Sequence, residues 1–268
     1  MTNNESAVLI NRRPGGVSEV VLNRPDKRNA FDDVIIQQLI AALETLDADK
    51  GTSVVVLRSE GKHFSAGADL SWMRRMADNS HQENLNDSRQ LARLMNMLNH
   101  LSKPVIGLVQ GAAFGGAVGL AACCDIVLAT ATSSFCLSEV KLGLIPAAIS
   151  PYVVRAIGER QARRYFITAE VFNAQQAERF GLVHEICEDV VSMQQRCEEL
   201  LVQLAHNGPE AMKAAKDLVF AVSQKPITAD IIEDTAQRIA SIRVSEEGQE
   251  GLNAFLDKRH ANWTPESK

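Results

Sequence analysis

The segment 109–126, VQGAAFGGAVGLAACCDI, constrains the fold more than any other part of this chain. A β-branched run, KPVIGLVQG, leads into it. Two adjacent glycines, Gly115 and Gly116, follow, and then the compact apolar stretch AVGLAACC. This pattern predicts a buried strand, a glycine turn and a helix with very small side chains. Small side chains let a helix press close to its neighbours, and glycine lets backbone approach a ligand with no Cβ in the way. The first N–H groups of a helix have no intrahelical partner, and the dipole there favours negative charge. The N–H groups near Gly116 are therefore candidate anion donors. A tight strand-to-helix turn that binds nothing would have the same sequence.

On either side of this segment the periodicity alternates. Residues 7–11 and 17–23 read as two strands joined by Arg-Arg-Pro-Gly-Gly. The loop 24–30 carries Arg24, Lys27 and Arg28, either a solvated turn or a landing site for phosphates. A helix is predicted after Asp32, a good N-cap, with Ile35, Ile36, Leu39, Ile40, Leu43 and Leu46 on one face. SVVVLR is a buried strand; 60–70 is a loop of small residues leading into a helix with Trp72, Met73 and Met76; 80–101 is a long amphipathic helix. Strands follow at 125–129 and 134–137, helices at 152–157, 160–168 and 174–180, and a last strand at 182–186. From Val190 onward the pattern is helical, with breaks expected at Pro209, Pro226 and Gly248. Strands alternating with helices predict an α/β fold with a largely parallel sheet. The later change to helix alone predicts two units, 1–204 and 205–268.

Bulk properties exclude several classes. With 46% hydrophobic residues the chain can bury a large core, and a net charge of −5 offers no basic field for nucleic acid. No apolar run approaches the roughly 20 residues of a membrane span. MTNNESAVLI lacks both a signal-peptide core and an Arg-rich transit pattern, so a cytoplasmic protein is expected. Five cysteines without a C-x-x-C pair are expected to be buried free thiols, and no metal site is expected.

Three segments taken together, FSAGADL (64–70), GAAFGGAVGLAACCDI (111–126) and FCLSEVKLGLIP (135–146), resemble the enoyl-CoA hydratase/isomerase (crotonase) family at this order and spacing. The likeness extends to RPDKRNAF and to the terminal AFLDKRHANW. It implies a spiral of repeated ββα units with a C-terminal helical region for oligomerisation, as a homotrimer or dimer of trimers. It implies an acyl-CoA thioester substrate, with coenzyme A as part of the substrate and no separate cofactor. By motif match, the N–H groups of Ala68 and Gly116 are the expected oxyanion hole, and Glu139 the expected acid/base; an isolated glutamate would otherwise be a surface charge. Lys27 and Arg28 are expected at the CoA phosphates, joined by Lys258 from a neighbouring subunit. Ala30, Ala66, Asp69 and Leu70 are expected to line the substrate.

One position departs from the family's pattern. Many hydratases of the family carry a second glutamate where this chain has Gly119. The variant motifs SAGADLSWMRRM and LIPAAISPYVVRAIG resemble bacterial methylglutaconyl-CoA hydratases of leucine catabolism. On that reading, Gly119 leaves a vacancy for a branched acyl group that brings its own carboxylate, with Arg155 as a candidate anchor. The alternatives are a double-bond isomerase working with Glu139 alone, and a non-catalytic CoA-ester-binding member.

Overall fold

The expected hairpin forms from β1 (Val8–Arg13) and β2 (Val17–Leu22), closed by a 3-10 turn over Pro14–Gly16. The computed structural model describes residues 6–265. The first five and last three residues, which the N-terminal reading and the unit limits above include, lie outside the described residues. The helix α1 (Asp33–Ala48) starts where Asp32 accepts the Ile35 N–H at 2.9 Å, and it buries the six apolar residues its period marked. Then come β3 (Val54–Ser59), α2 (Leu70–Asp78), α3 (His81–Asn99), β4 (Val105–Val109), β5 (Ala112–Phe114) and α4 (Gly116–Cys123). Next are β6 (Ile126–Thr130), β7 (Ser134–Cys136), α5 (Ser150–Thr168), β8 (Phe172–Asn173), α6 (Ala174–Phe180) and β9 (Glu185–Cys187). The chain closes with α7 (Val190–Ala205), α8 (Pro209–Val222), α9 (Ala229–Val244) and α10 (Glu246–Leu256).

Two sheets result. The larger has the order β1-β2-β3-β4-β6-β9 and is parallel except for β1 and β2; the smaller has the order β5-β7-β8. The units β4-β5-α4 and β6-β7-α5 each send their first strand to the large sheet and their second to the small one. Side chains alternate across a strand, and both faces of the large sheet are covered. Val55 and Leu57 of β3 enter a core with α1, α3, α4 and α5, while Val54 and Val56 enter a second core with Met193, Cys197, Leu200 and Leu201 of α7. This explains why the central strands read as unbroken apolar runs. All five cysteines are buried and free, as expected.

The C-terminal helices lie at the edge of these cores. Neither α8 nor α9 buries a residue, and α10 buries only Ala254. A half-buried ion pair ties α8 down: Lys216 Nζ donates to Asp125 Oδ2 at 2.7 Å and to the Lys103 carbonyl at 3.3 Å. Among the described residues, no helix is long and apolar enough to cross a membrane.

Several boundaries differ from the sequence reading. Residues 182–183 are not strand: Gly181 ends α6 in a left-handed cap, and the Leu182 N–H folds back to the Ala177 carbonyl at 2.9 Å. Gly158 (φ 76°, ψ 154°) is not helical, so α5 consists of two helical segments meeting at a kink, in keeping with the two helices read from the sequence. The break before α10 falls at Ser245, whose hydroxyl accepts the Gly248 N–H at 3.0 Å, so Gly248 lies inside the helix. The run before the glycine pair splits into β4 and β5 at Gly111 (φ 61°), where a Cβ would stand 2.2 Å from the Lys62 carbonyl oxygen.

Candidate active site

Two loops and a helix start meet beside the small sheet. Asn29, almost fully buried, holds the first loop: its Oδ1 accepts the Arg24 N–H at 2.8 Å, and its Nδ2 donates to the carbonyls of Glu60 (2.8 Å) and His63 (2.9 Å). Phe31 then pairs with the second loop. Its N–H donates to the Gly67 carbonyl and its carbonyl accepts the Asp69 N–H, both at 2.7 Å. In a parallel bridge these bonds flank the opposed residue, Ala68, and turn its own N–H to the other side. The far edge of the loop is zipped to β5: the Ser65 N–H donates to Ala112 O and the Phe114 N–H to Ser65 O, each at 3.0 Å. His63 Nδ1 accepts the Ala112 N–H at 3.1 Å; burial first, then the charges of Arg28 and Lys62, lowers the His63 pKa and favours this acceptor form.

After β5, Gly115 adopts φ 54° and ψ −122°, a conformation that favours glycine, and its N–H donates to the Cys136 carbonyl at 2.8 Å. Gly116 opens α4. Among the described residues, neither the Gly116 N–H nor the Ala68 N–H has an acceptor. Glu139 begins a 3-10 turn three residues beyond Cys136. Its Oε1 lies 3.3 Å from where a Gly115 Cβ would stand, and its Oε2 is buried with no partner. Burial raises the Glu139 pKa above the usual carboxylate range. Two free N–H groups and a desolvated carboxylate suit a reaction that builds negative charge on a carbonyl oxygen while a proton moves.

The other anticipated residues are distributed around this centre. Lys27 and Arg28 are exposed on the first loop, Ala30 is buried, Ala66 is half-buried and Leu70 is 73% exposed at the head of α2. Lys258 is exposed just beyond α10, and Arg155 is exposed on α5. Asp69 holds local structure through its carboxylate. Its Oδ1 accepts the Ser71 and Trp72 N–H groups at 2.8 and 3.2 Å, and Lys27 and Arg24 stand 3.6 and 3.4 Å from Oδ2. Burial pushes its pKa up, but these donors and cations hold it below the usual range. It caps α2 and fixes the loop that carries Ala68.

The expected vacancy at Gly119 does not exist. A Cβ there would lie 2.3 Å from Ile149 Cγ2, 2.7 Å from Ile149 Cβ and 3.1 Å from Met95 Sδ. Ile149 and Met95 are both buried, so the space is filled and cannot receive an acyl group. The sequence reading assigned no role to Asn29, Phe31 or Ile149. Asn29 and Phe31 stand in the quoted RPDKRNAF segment, but only the paired loops reveal what they hold.

A family model described as Enoyl-CoA hydratase/isomerase matches residues 12–266. The chain belongs to the enoyl-CoA hydratase/isomerase family. It is similar to the 2,3-dehydroadipyl-CoA hydratase of Escherichia coli, with 32% identity over 97% of this chain and 98% of that protein. Among solved structures, an enoyl-CoA hydratase from Shewanella pealeana superposes with a TM-score of 0.93, at 49% identity over 96% of each chain. Pseudomonas aeruginosa AtuE superposes with a TM-score of 0.92, at 35% identity over 97% of this chain and 100% of that one. The two mixed sheets with C-terminal helices are the crotonase fold.

In this member of the family, Gly119→Glu is expected to unfold the contact with Ile149 rather than add a second working carboxylate. Overpacking costs about 1–3 kcal/mol and an unpaired buried charge adds to that. A fall of about 3 kcal/mol or more in urea unfolding is the expected result. Unchanged stability would mean that the Gly119 site is open after all.

Proposed function

We propose that this chain is an enoyl-CoA hydratase that adds water to an α,β-unsaturated acyl-CoA, and that its substrate is of the 3-methylglutaconyl type. The observation that carries the reaction class is the unpartnered Glu139 carboxylate beside the turn that frees the Gly116 N–H. Water oxygen attacks C3, and the double-bond electrons move through C2 onto the thioester oxygen. The N–H groups of Ala68 and Gly116 hold that oxyanion; a donor of this kind is worth about 3–4 kcal/mol. Glu139 takes the proton from water and returns one to C2. Lys27 and Arg28 meet the CoA phosphates, with Lys258 supplied by a neighbouring subunit.

The acyl group rests on different support. The SAGADLSWMRRM and LIPAAISPYVVRAIG segments resemble methylglutaconyl-CoA hydratases, and the Escherichia coli relative is named for a thioester of a dicarboxylic acid. With Gly119 closed, the acyl carboxylate has to be met elsewhere, and Arg155 is the cation we assign to it.

One observation favours a second reading. Because Ile149 occupies the space over Gly119, α4 offers no second carboxylate, and a double-bond isomerase needs only one. A panel of enoyl-CoA esters separates the two by absorbance: hydration removes the conjugated thioester, while isomerisation of a 3-enoyl ester creates it. We expect loss of conjugation, fastest with the glutaconyl ester, and a fall of at least about 10²-fold in Glu139→Gln. Faster turnover of crotonyl-CoA would overturn the acyl assignment. Gain of conjugation alone would make the enzyme an isomerase, and near-normal turnover in Glu139→Gln would remove that carboxylate from the mechanism.

We further propose that 1–204 forms the catalytic unit and 205–268 the assembly unit of a homotrimer or dimer of trimers. Ile232, Ile239, Phe255 and Leu256 are 59%, 49%, 81% and 74% exposed on the C-terminal helices, which leaves apolar surface for another subunit. Sedimentation equilibrium at micromolar concentration is expected to give three or six subunits. A stable, active monomer would contradict this.

A further inference from the structure

We infer that Ile149 is a positioning residue: its β-branch, keyed into the notch at Gly119, sets the Glu139 carboxylate against the head of α4. This inference rests on the reading of Glu139 as the acid/base. No other described side chain hydrogen-bonds the carboxylate: Oε2 has no partner, and the bond bearing on the group comes from its own backbone N–H. Its place must therefore come from the backbone that carries it. Upstream, that backbone is fixed by β7, through the Gly115 N–H to Cys136 O bond. Downstream, residues 141–145 are all exposed, and the chain next becomes buried at Pro146 and Ile149. The first large side chain to enter the core after Glu139 is thus Ile149, 2% exposed.

What it enters is specific. Gly119 lies one turn beyond Gly116 on α4, so the two share a helix face. Cγ2 and Cβ of Ile149 occupy the space a side chain at 119 would need, with Met95 Sδ on the other side. Packed interiors transmit such a contact because neither part can shift without opening a void. The residue type also signals packing over local need. Ile149 is the N-cap of α5 and makes no capping bond, in a position where Ser, Thr, Asp and Asn are preferred. The segment returns to the core at Pro146 and Ile149, and the β-branched Ile149 keyed against Gly119 sets its register relative to the Gly116 N–H; Glu139 lies on that segment. Site groups hold their geometry when the elements that carry them are locked by packing.

The test reads the carboxylate directly and needs no substrate. Glutamate labelled with 13C at the carboxyl carbon gives a Glu139 signal, assigned by its loss in Glu139→Gln, whose pH titration is followed in three further variants. Ile149→Val keeps Cβ and Cγ2 and is expected to titrate as wild type does. Ile149→Ala loses Cγ2, frees the segment and lets water reach the carboxylate, so its titration is expected to move down towards the ordinary glutamate range. Leu200→Ala removes a buried side chain from the separate α7 core and is expected to lower the melting temperature without moving the titration. With the best ester of the panel, Ile149→Ala should lose at least tenfold in kcat with KM within twofold, and Ile149→Val should lose less than twofold. An unmoved titration in Ile149→Ala would overturn the inference, as would an equal shift in Leu200→Ala. Absence of wild-type turnover on every ester would overturn the enoyl-CoA reading instead, while the titration still decides the positioning role.

Discussion

One hydrogen bond, from the Gly115 N–H to the Cys136 carbonyl, joins the parts on which the site depends. On one side of it, the glycine conformation turns the chain into α4 and leaves the Gly116 N–H free. On the other, β7 runs out and the chain reaches Glu139 within three residues. The donor and the carboxylate are therefore brought together by the pairing of β5 with β7, not by any bond between the two groups. A side chain at 115 would be strained at φ 54° and would also press on Glu139 Oε1.

The rest of the molecule holds that junction in place. The loop bearing Ala68 is clamped from both edges, by Phe31 and by β5, so its free N–H is fixed by neighbours whose own bonds are complete. Behind α4, small residues allow close contact. At Gly107 a Cβ would meet Cys124 Sγ at 2.9 Å, and at Gly119 it would meet Ile149. The large sheet supplies the platform, because β4 and β6, which flank α4 in sequence, are buried central strands paired with each other. The free Gly116 N–H and the Glu139 carboxylate lie just beyond the ends of β5 and β7, neighbouring strands of the small sheet.

Much of this was legible in the sequence, for definite reasons. The face of α1, its Asp32 cap, the hairpin and the apolar central strands follow from periodicity and local capping, which need no distant partner. The glycine pair and Glu139 stood out through their spacing with FSAGADL, and the fold brings Gly115 and Glu139 side by side. Other features were not. β5 and β8 are three and two residues long, too short for a period to register. The cap that Asp69 forms on α2 was not read from the sequence. Gly119 read as open space because glycine has no side chain, and the group that fills it, Ile149, lies far along the chain. Whether a glycine marks a void or a notch for another residue is decided by tertiary packing alone.

The central claim is that the free N–H groups of Ala68 and Gly116 polarise a thioester carbonyl. The most direct measurement is the ultraviolet and 13C-carbonyl spectrum of a conjugated dienoyl-CoA bound to Glu139→Gln, which should bind it and turn it over slowly. Two donors on the carbonyl oxygen draw electron density along the conjugated system, so the account predicts a red-shifted absorption band and a downfield carbonyl carbon on binding. A bound ester with the spectrum it has in water would contradict it.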